Sequence, residues 1–335
     1  MKKRNKVIII AEAGINHNGK LSLAKKLIKE ASKSGADYVK FQTYHLDSMI
    51  VKNTKPTIYQ KKNIKKKISQ YEILQKYRLK DNWYNDLISY SKKNKIKFIS
   101  SPFDIKSIEF LKKFKLDYIK IPSGEINNLP YLKVLSKLKK KIILSTGMSD
   151  LKDVKAAIHI LTKGGLSKNK LNILHCHSDY PSKPENLNLK SINLLKKKLG
   201  ISVGYSDHSL GIEASVIAVA YGANIIEKHL TLNKNYTGPD HKGSMEPKDF
   251  KNMVKAIRIT ELMLGSSIKK PSDIELKNRK LVRKSIVAIK NIKKGERFSV
   301  NNISTKRPAY GKSPMNFDFY LKKRAKKNYI KDEFI

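Results

Sequence analysis

Ile201-Ser202-Val203-Gly204-Tyr205-Ser206-Asp207-His208 and Ala223-Asn224-Ile225-Ile226-Glu227-Lys228-His229 are two short β-like runs, each ending in polar residues and a histidine. Residues 210–221 between them carry a helical pattern. A strand, a helix and a second strand joined by a right-handed crossover make parallel neighbours. That arrangement brings His208 and His229 to the same carboxyl edge of one sheet, where parallel α/β proteins gather ligands. Two neutral imidazoles a few ångströms apart can hold a divalent metal. They can equally be ordinary hydrogen-bonded histidines, and the pair alone leaves both readings open.

The same alternation runs through most of the chain. β-Branched runs at 7–10, 38–41, 97–99, 118–121, 142–144, 172–175, 202–204 and 224–227 predict eight strands. Helical patterns such as 21–34, 105–114, 151–162 and 187–199 lie between them. Eight βα repeats in roughly 250 residues are what a (β/α)8 TIM barrel requires, with a doubly wound open sheet as the alternative. The lysine-rich insertion 51–79 is too long for a plain connection and is expected to form a lid or excursion over the barrel mouth. After about residue 270, short β-like pieces at 285–288, 292–296 and 302–304 replace the helical periods. The expected division is a barrel over 1–265, a linker over 266–277 containing Pro271, and a small β-rich domain over 278–335.

Composition excludes several classes. The formal net charge is +43, which suggests a nucleic-acid binder at first sight. Only eight of the 71 basic residues are arginine, and the lysines are spread along the whole chain. Base readout favours arginine forks and stacking aromatics, and no cluster of either kind is present. No specific nucleic-acid partner is expected. The lone Cys176 cannot form an intrachain disulfide, which suits a reducing cytoplasm. The basic start of the chain and the run 7–11 resemble a leader superficially, but the run is short and meets Glu12 at once. No apolar run is long enough to span a membrane.

The residues that follow the predicted strands are consistently polar. Strand one reaches Glu12 and Asn16-His17-Asn18-Gly19; strand two carries Lys40 and Gln42 on one face; strand three ends in Ser100-Ser101. Lys120 and Ser123-Gly124-Glu125 follow, then Ser145-Thr146-Gly147, then His175-Cys176-His177-Ser178 and Tyr180. Polar groups on one rim over an apolar barrel describe an active site. A buried ammonium is costly unless paired, so Lys40 and Lys120 either form internal salt bridges with Glu12 and Glu125 or clamp an anion with Ser101, Ser123, Ser145 and Ser206. A Schiff base on one lysine is the weaker reading, because a metal and an imine would duplicate the activation of a carbonyl. His17 either contacts substrate or caps its loop. His175 and His177 flank Cys176, but a Cys-His zinc site has no second cysteine to use. His45 and His159 read as ordinary histidines.

Taken in order, these motifs resemble the sialic acid synthase family, which comprises N-acetylneuraminate synthase and its legionaminate and pseudaminate relatives. The matching pieces are residues 11–19 (AEAGINHNG), 39–43 (VKFQT), 119–125 (IKIPSGE) and 144–148 (LSTGM), then 204–208 (GYSDH), 226–229 (IEKH), 238–241 (GPDH) and 306–308 (KRP). The resemblance covers nearly the whole chain, and the small domain resembles the family's antifreeze-like (SAF) module.

The resemblance implies that phosphoenolpyruvate condenses with the open-chain aldehyde of an N-acetylated mannose-type sugar, with phosphate lost by C–O cleavage. It implies that His208 and His229 bind a divalent metal, usually Mn²⁺, with Mg²⁺ or Co²⁺ as alternatives. It assigns Lys40, Ser101, Lys120, Ser123, Ser145 and Ser206 to phosphoenolpyruvate. Gln42, Glu125, Tyr180 and Asp240 go to the sugar, and Glu12 stands near the aldehyde or the attacking water. It further implies a domain-swapped homodimer in which Arg307 reaches the sugar in the other subunit, where its planar fork suits an acyl or hydroxyl group. Ser101, Ser178 and Ala309-Tyr310 depart from common family patterns, which bears on substrate choice. His241 and Lys242 look more like the neuraminate and legionaminate branches than the pseudaminate one. The rivals from other classes are a basic nucleic-acid-binding protein and a catalytically silent sugar-binding protein.

Overall fold

The computed structural model describes residues 6–64 and 68–335. The basic residues 1–5, weighed above as the start of a leader, and residues 65–67 of the insertion lie outside the described residues. The chain divides into two compact units, Met1–Gly265 and Ser266–Ile335.

In the first unit eight parallel strands close into a barrel: β1 (Ile8–Gly14), β2 (Tyr38–Thr43), β3 (Lys97–Pro102), β4 (Tyr118–Ile121), β5 (Lys141–Ser145), β6 (Leu171–Cys176), β7 (Ser202–Asp207) and β8 (Ile225–His229). β8 pairs with β1 from Ile225↔Ile8 to His229↔Glu12, so no open edge remains and the doubly wound alternative falls. Most strands run further at their carboxyl ends than the β-branched pattern suggests. Their last residues are polar and carry no strand signature, yet parallel pairing holds them: Glu12 stands opposite both Lys40 and His229.

Alternation decides what each strand points inward. Ile10, Tyr38, Ile99, Tyr118, Ile143, Leu174 and Ile225 form an apolar plug inside the barrel. The opposite faces of the strands pack against the surrounding helices. Helix Leu151–Lys163, for example, buries Val154, Ala157, Ile158 and Leu161 and begins with a capping box of Asp150 and Asp153. Val154, Ile158 and Leu161 each contribute about 1.5–3 kcal/mol when fully buried. Gly204 takes the plug position on β7 because nothing larger fits; a Cβ there would lie 2.5 Å from the Ile225 carbonyl oxygen.

The insertion after β2 forms helices Ile58–Ile64 and Gln70–Tyr77, the second started by a Ser69–Glu72 capping box. Ile73, Leu74 and Tyr77 pack with Ile15 and Tyr44, whose hydroxyl donates to the Leu74 carbonyl at 2.9 Å. Asn63 donates to the Pro239 carbonyl at 2.6 Å. The insertion is thereby fastened over the carboxyl edge of the barrel. Among the described residues no helix is long and apolar enough to cross a membrane.

The second unit holds helix Asp273–Val282 and the antiparallel pair β9 (Ser285–Ala288) and β10 (Ile303–Lys306). Its core is Ile286, Ala288, Ile292, Phe298, Ile303, Ala325 and Ile335. The helix takes the last five residues of the stretch expected as linker, 273–277, and runs on to Val282. Its start was legible in Ser272 and Glu275, which form a capping box.

Candidate active site

Two residues beyond each plug residue, on the same inward face, stands a polar one. Ile10 leads to Glu12, Tyr38 to Lys40, Ile99 to Ser101, Tyr118 to Lys120, Ile143 to Ser145, Leu174 to Cys176, Gly204 to Ser206 and Ile225 to Glu227. A further step of two reaches Gln42, His208 and His229. The period of the strands thus builds a polar layer directly on an apolar one. A cavity of about 490 Å³ opens above it. Glu12, Lys40, Gln42, Ser101, Lys120, Ser123, Glu125, Ser145, Tyr180, Ser206, His208, His229 and Asp240 all line that cavity. Gly14, at φ 51°, is where β1 breaks register after Glu12. A side chain there would be strained by that φ, although its Cβ would meet Glu12 and Gln42 only at contact distance.

The charges in the layer are tightly interlocked. Lys40 Nζ lies 3.2 Å from Glu12 Oε2 and 3.4 Å from Glu227 Oε1, and it donates to Ser101 Oγ at 3.1 Å. Lys120 Nζ lies 3.5 Å from the same Glu227 oxygen, to which Ser206 Oγ donates at 3.1 Å. Burial alone would raise the Glu227 carboxyl, but Lys120 and Lys40 outweigh it and hold the group at about 2. Burial, with Glu227 adding to it, pushes Glu12 above the usual carboxylate range against the pull of Lys40. Burial depresses Lys120. One firmly ionised carboxylate therefore faces two lysines, and a second carboxyl leans towards its neutral form. Burial weighs against the charges of both Glu12 and Lys120, and an incoming anion beside Lys120 would favour its ammonium form.

The imidazoles stand beside this layer with ring centroids 5.4 Å apart. His208 Nδ1 donates to the His177 carbonyl at 2.6 Å, which leaves the lone pair on Nε2. Burial would depress His208, but Cys176, whose Sγ is 3.7 Å from Nδ1, the His177 carbonyl and Glu227 together outweigh it and raise the group. Burial holds His229 well below the usual histidine range, and its Nδ1 is buried with no hydrogen-bond partner. Among the described residues no group of three or more His, Cys, Asp or Glu side chains is arranged to hold a metal. Two imidazoles, one with its tautomer fixed and one with an orphaned nitrogen, suit a divalent ion that takes its other ligands from water or substrate.

Tyr180 packs against His208 with centroids 4.0 Å apart and the rings tilted by 33°, and Tyr59 of the insertion packs against Tyr180 at 4.9 Å with a tilt of 34°. Asp240 is buried, with Oδ1 lacking a partner. Burial, then Glu12, pushes its carboxyl up to about 7. Gln42 Nε2 donates to Glu12 Oε1 at 3.2 Å. Ser123 Oγ accepts from the Gly147 N–H at 3.0 Å, and Ser145 Oγ is buried without a partner.

One expectation needs correction, and other readings resolve. Lys40 does pair with Glu12, but Lys120 pairs with Glu227 and not with Glu125, which instead accepts from Asn128 Nδ2 at 2.7 Å. Of the two readings of His17, the loop cap holds: it is buried, accepts from the Gly19 N–H at 3.1 Å and does not line the cavity. His175 turns away to Leu187, and His177 bonds to Ser182. Arg307 belongs to the second unit, exposed just after β10. Sequence reasoning missed Glu227, Cys176 and Tyr59, all of which line the cavity. The first two were within reach, because both follow an inward apolar residue by two positions. Tyr59 carried no such signal, because its place depends on how the insertion folds back.

The NeuB family model matches residues 27–269, and the SAF domain model matches residues 283–335. The chain is 49% identical to an N,N′-diacetyllegionaminic acid synthase of Campylobacter jejuni, over 98% of this chain and 99% of that one. It is 42% identical to the enzyme of the same name from Legionella pneumophila, over 96% and 90% of the two chains. Among solved structures it is similar to an N-acetylneuraminic acid (sialic acid) synthetase of Leptospira borgpetersenii, with TM-score 0.72, 32% identity and coverage of 82% and 90%. Barrel and C-terminal module thus match one lineage, and the chain belongs to the NeuB family of sialic acid synthases, with a SAF domain after its barrel.

Proposed function

We propose that this protein condenses phosphoenolpyruvate with the open-chain form of an N-acetylated mannose-type sugar. The products are phosphate and a nonulosonic acid, either N-acetylneuraminate or N,N′-diacetyllegionaminate. The observation that carries the reading is the single layer in which Lys40 and Lys120 face an anion site while His208 and His229 stand at its edge. The names of the relatives above support it.

In this reading Lys40 and Lys120 bind the phosphate and carboxylate of phosphoenolpyruvate, with Ser101, Ser123, Ser145 and Ser206 donating hydroxyls. A divalent ion on His208 and His229, Mn²⁺ by preference with Mg²⁺ or Co²⁺ as substitutes, would supply Lewis acidity to the aldehyde oxygen. Gln42, Glu125, Tyr180 and Asp240 orient the sugar so that its aldehyde carbon faces C3 of the enolpyruvate. Glu12, leaning towards its protonated form, hands a proton to the oxygen of the former aldehyde as the C–C bond forms. Water adds to the resulting cationic C2 and returns one proton to the now ionised Glu12, and phosphate leaves with its bridging oxygen and the second proton by C–O cleavage, which leaves the C2 ketone. Excluding water until the C–C bond exists favours condensation over hydrolysis, and the insertion over the mouth suits that task. We read the protein as a cytoplasmic domain-swapped homodimer in which Arg307 completes the sugar site across subunits.

The test is phosphate release with each component withheld in turn. Release should require phosphoenolpyruvate, an N-acetylated sugar and a divalent metal together, with a nonulosonic acid found by mass spectrometry. Sugar-independent release, or none with any such sugar, overturns the proposal.

A further inference from the structure

The cavity has two unlike faces. Its barrel face is the charged layer just described. Its other face, formed by the chain that follows β2, is largely hydrocarbon: Met49, Ile50, Tyr59 and Leu74 line it. Set into that wall is the buried Gln60, whose side-chain oxygen accepts from the Thr57 N–H at 3.1 Å and from Gln70 Nε2 at 3.3 Å. Gln60 and Gln70 both line the cavity.

Neither reacting end of the substrates calls for such a wall. The phosphate and carboxylate of phosphoenolpyruvate need cations, and the aldehyde belongs with the imidazoles. What remains is the far end of the sugar, which must lie towards the mouth, because the wall follows the carboxyl end of β2. Sugar hydroxyls laid against Met49, Ile50 and Leu74 would lose water without gaining partners, at about 1–3 kcal/mol each. A methyl group would gain by the same contact. An acetamido group suits the mixture better still, with its methyl on the hydrocarbon and its amide beside the Gln60 and Gln70 amides.

We infer that the Met49, Ile50 and Leu74 wall with its Gln60–Gln70 amide pair determines sugar specificity. It selects an acceptor that carries a methyl and a second acetamido group, in place of hydroxyls, at the end away from its aldehyde. The inference rests on the proposed condensation and adds to it the choice between the two candidate products.

The experiment compares kcat/KM for 2,4-diacetamido-2,4,6-trideoxymannose and for N-acetylmannosamine, on the full chain with Mn²⁺ and saturating phosphoenolpyruvate. The wild-type protein should prefer the diacetamido sugar at least tenfold. Ile50→Asn and Gln60→Leu should each erode that preference about tenfold or more, the size expected for one lost apolar or amide contact. The KM for phosphoenolpyruvate should stay unchanged. Should Ile50→Asn not fold, as judged by its thermal melt, Met49→Asn at the half-buried neighbouring position provides the same reading. No wild-type preference, or equal losses on both sugars in the variants, overturns the inference and leaves the condensation standing. Failure to release phosphate with either sugar is a different result, because it removes the condensation and the inference together.

Discussion

Lys228 and Asp207, the residues immediately before the two cavity imidazoles in their strands, form a buried ion pair, Nζ to Oδ2 2.8 Å, on the face of the sheet away from the cavity. They are direct partners in the β7–β8 register. Lys228 also donates to the Ser209 carbonyl at 2.7 Å, while Asp207 accepts from the Ser209 N–H and hydroxyl and from Ser215 Oγ. His208 is thus gripped on both sides by groups tied to the residue that precedes His229. Lys228→Met strands a buried carboxylate and should cost about 3–5 kcal/mol in denaturant unfolding. Mn²⁺ affinity, measured by the loss of the free-ion paramagnetic resonance signal, should weaken as well. Adding Asp207→Asn should recover much of the stability, because the orphaned charge is gone. A Lys228→Met protein with wild-type stability would contradict the clamp.

Removal of the metal gives a sharper outcome. Exhaustive chelation should abolish phosphate release, and Mn²⁺ should restore it. His208→Ala and His229→Ala should each lower kcat by several orders of magnitude, as loss of a metal ligand does. Their circular dichroism should stay close to wild type, because neither ring belongs to the apolar plug. Full turnover after chelation, checked by metal analysis of the same sample, would remove the metal from the mechanism.

Asp240 sets a pH dependence whose sign can be worked out. Its carboxyl is pushed up to about 7 by burial and then by Glu12, against an ordinary 3.8. A raised acid holds its proton more tightly when folded, so between about pH 4 and 7 its contribution to stability falls as pH rises. For the reaction the sign reverses. The ionised form accepts hydrogen bonds from sugar hydroxyls, so kcat/KM for the sugar should climb through about pH 7. Asp240→Asn should flatten that limb and lower kcat/KM about tenfold or more, read from a profile taken at saturating phosphoenolpyruvate. An inflection that survives in the asparagine variant assigns it to another group.

The barrel and most of its rim were legible because both follow from a period of two. Once Tyr38, Ile99 and Tyr118 are placed inward, Lys40, Ser101 and Lys120 have no other place to go. What was not legible is lateral. Lys120 meets Glu227 across the barrel from β4 to β8, whereas the nearer Glu125 follows β4 and turns to Asn128. Linear order favours the neighbour in sequence, but a closed barrel brings distant strands face to face. Tyr59 illustrates the second limit. Its contact with Tyr180 depends on the fold-back of the insertion, and that is fixed by tertiary bonds such as Asn63 to Pro239 and not by local pattern.

Glu227 offers the last prediction. One of its oxygens faces Lys40, Lys120 and Ser206 together, and the carboxyl is held at about 2 against the effect of burial. Glu227→Gln keeps the shape and removes the charge, leaving two buried ammonium groups without their shared counter-charge. The protein without ligand should lose about 3–5 kcal/mol, the usual cost of breaking a buried pair. Phosphoenolpyruvate, or inorganic phosphate alone, should then stabilise the variant by more degrees in a thermal melt than it stabilises the wild type, because the ligand supplies the missing charge. Turnover should drop about 100-fold, since an anion held too firmly in the ground state gains nothing at the transition state. Equal thermal shifts in the two proteins would mean that Lys40 and Lys120 do not share one anion with Glu227, and the anion site would have to lie elsewhere in the cavity.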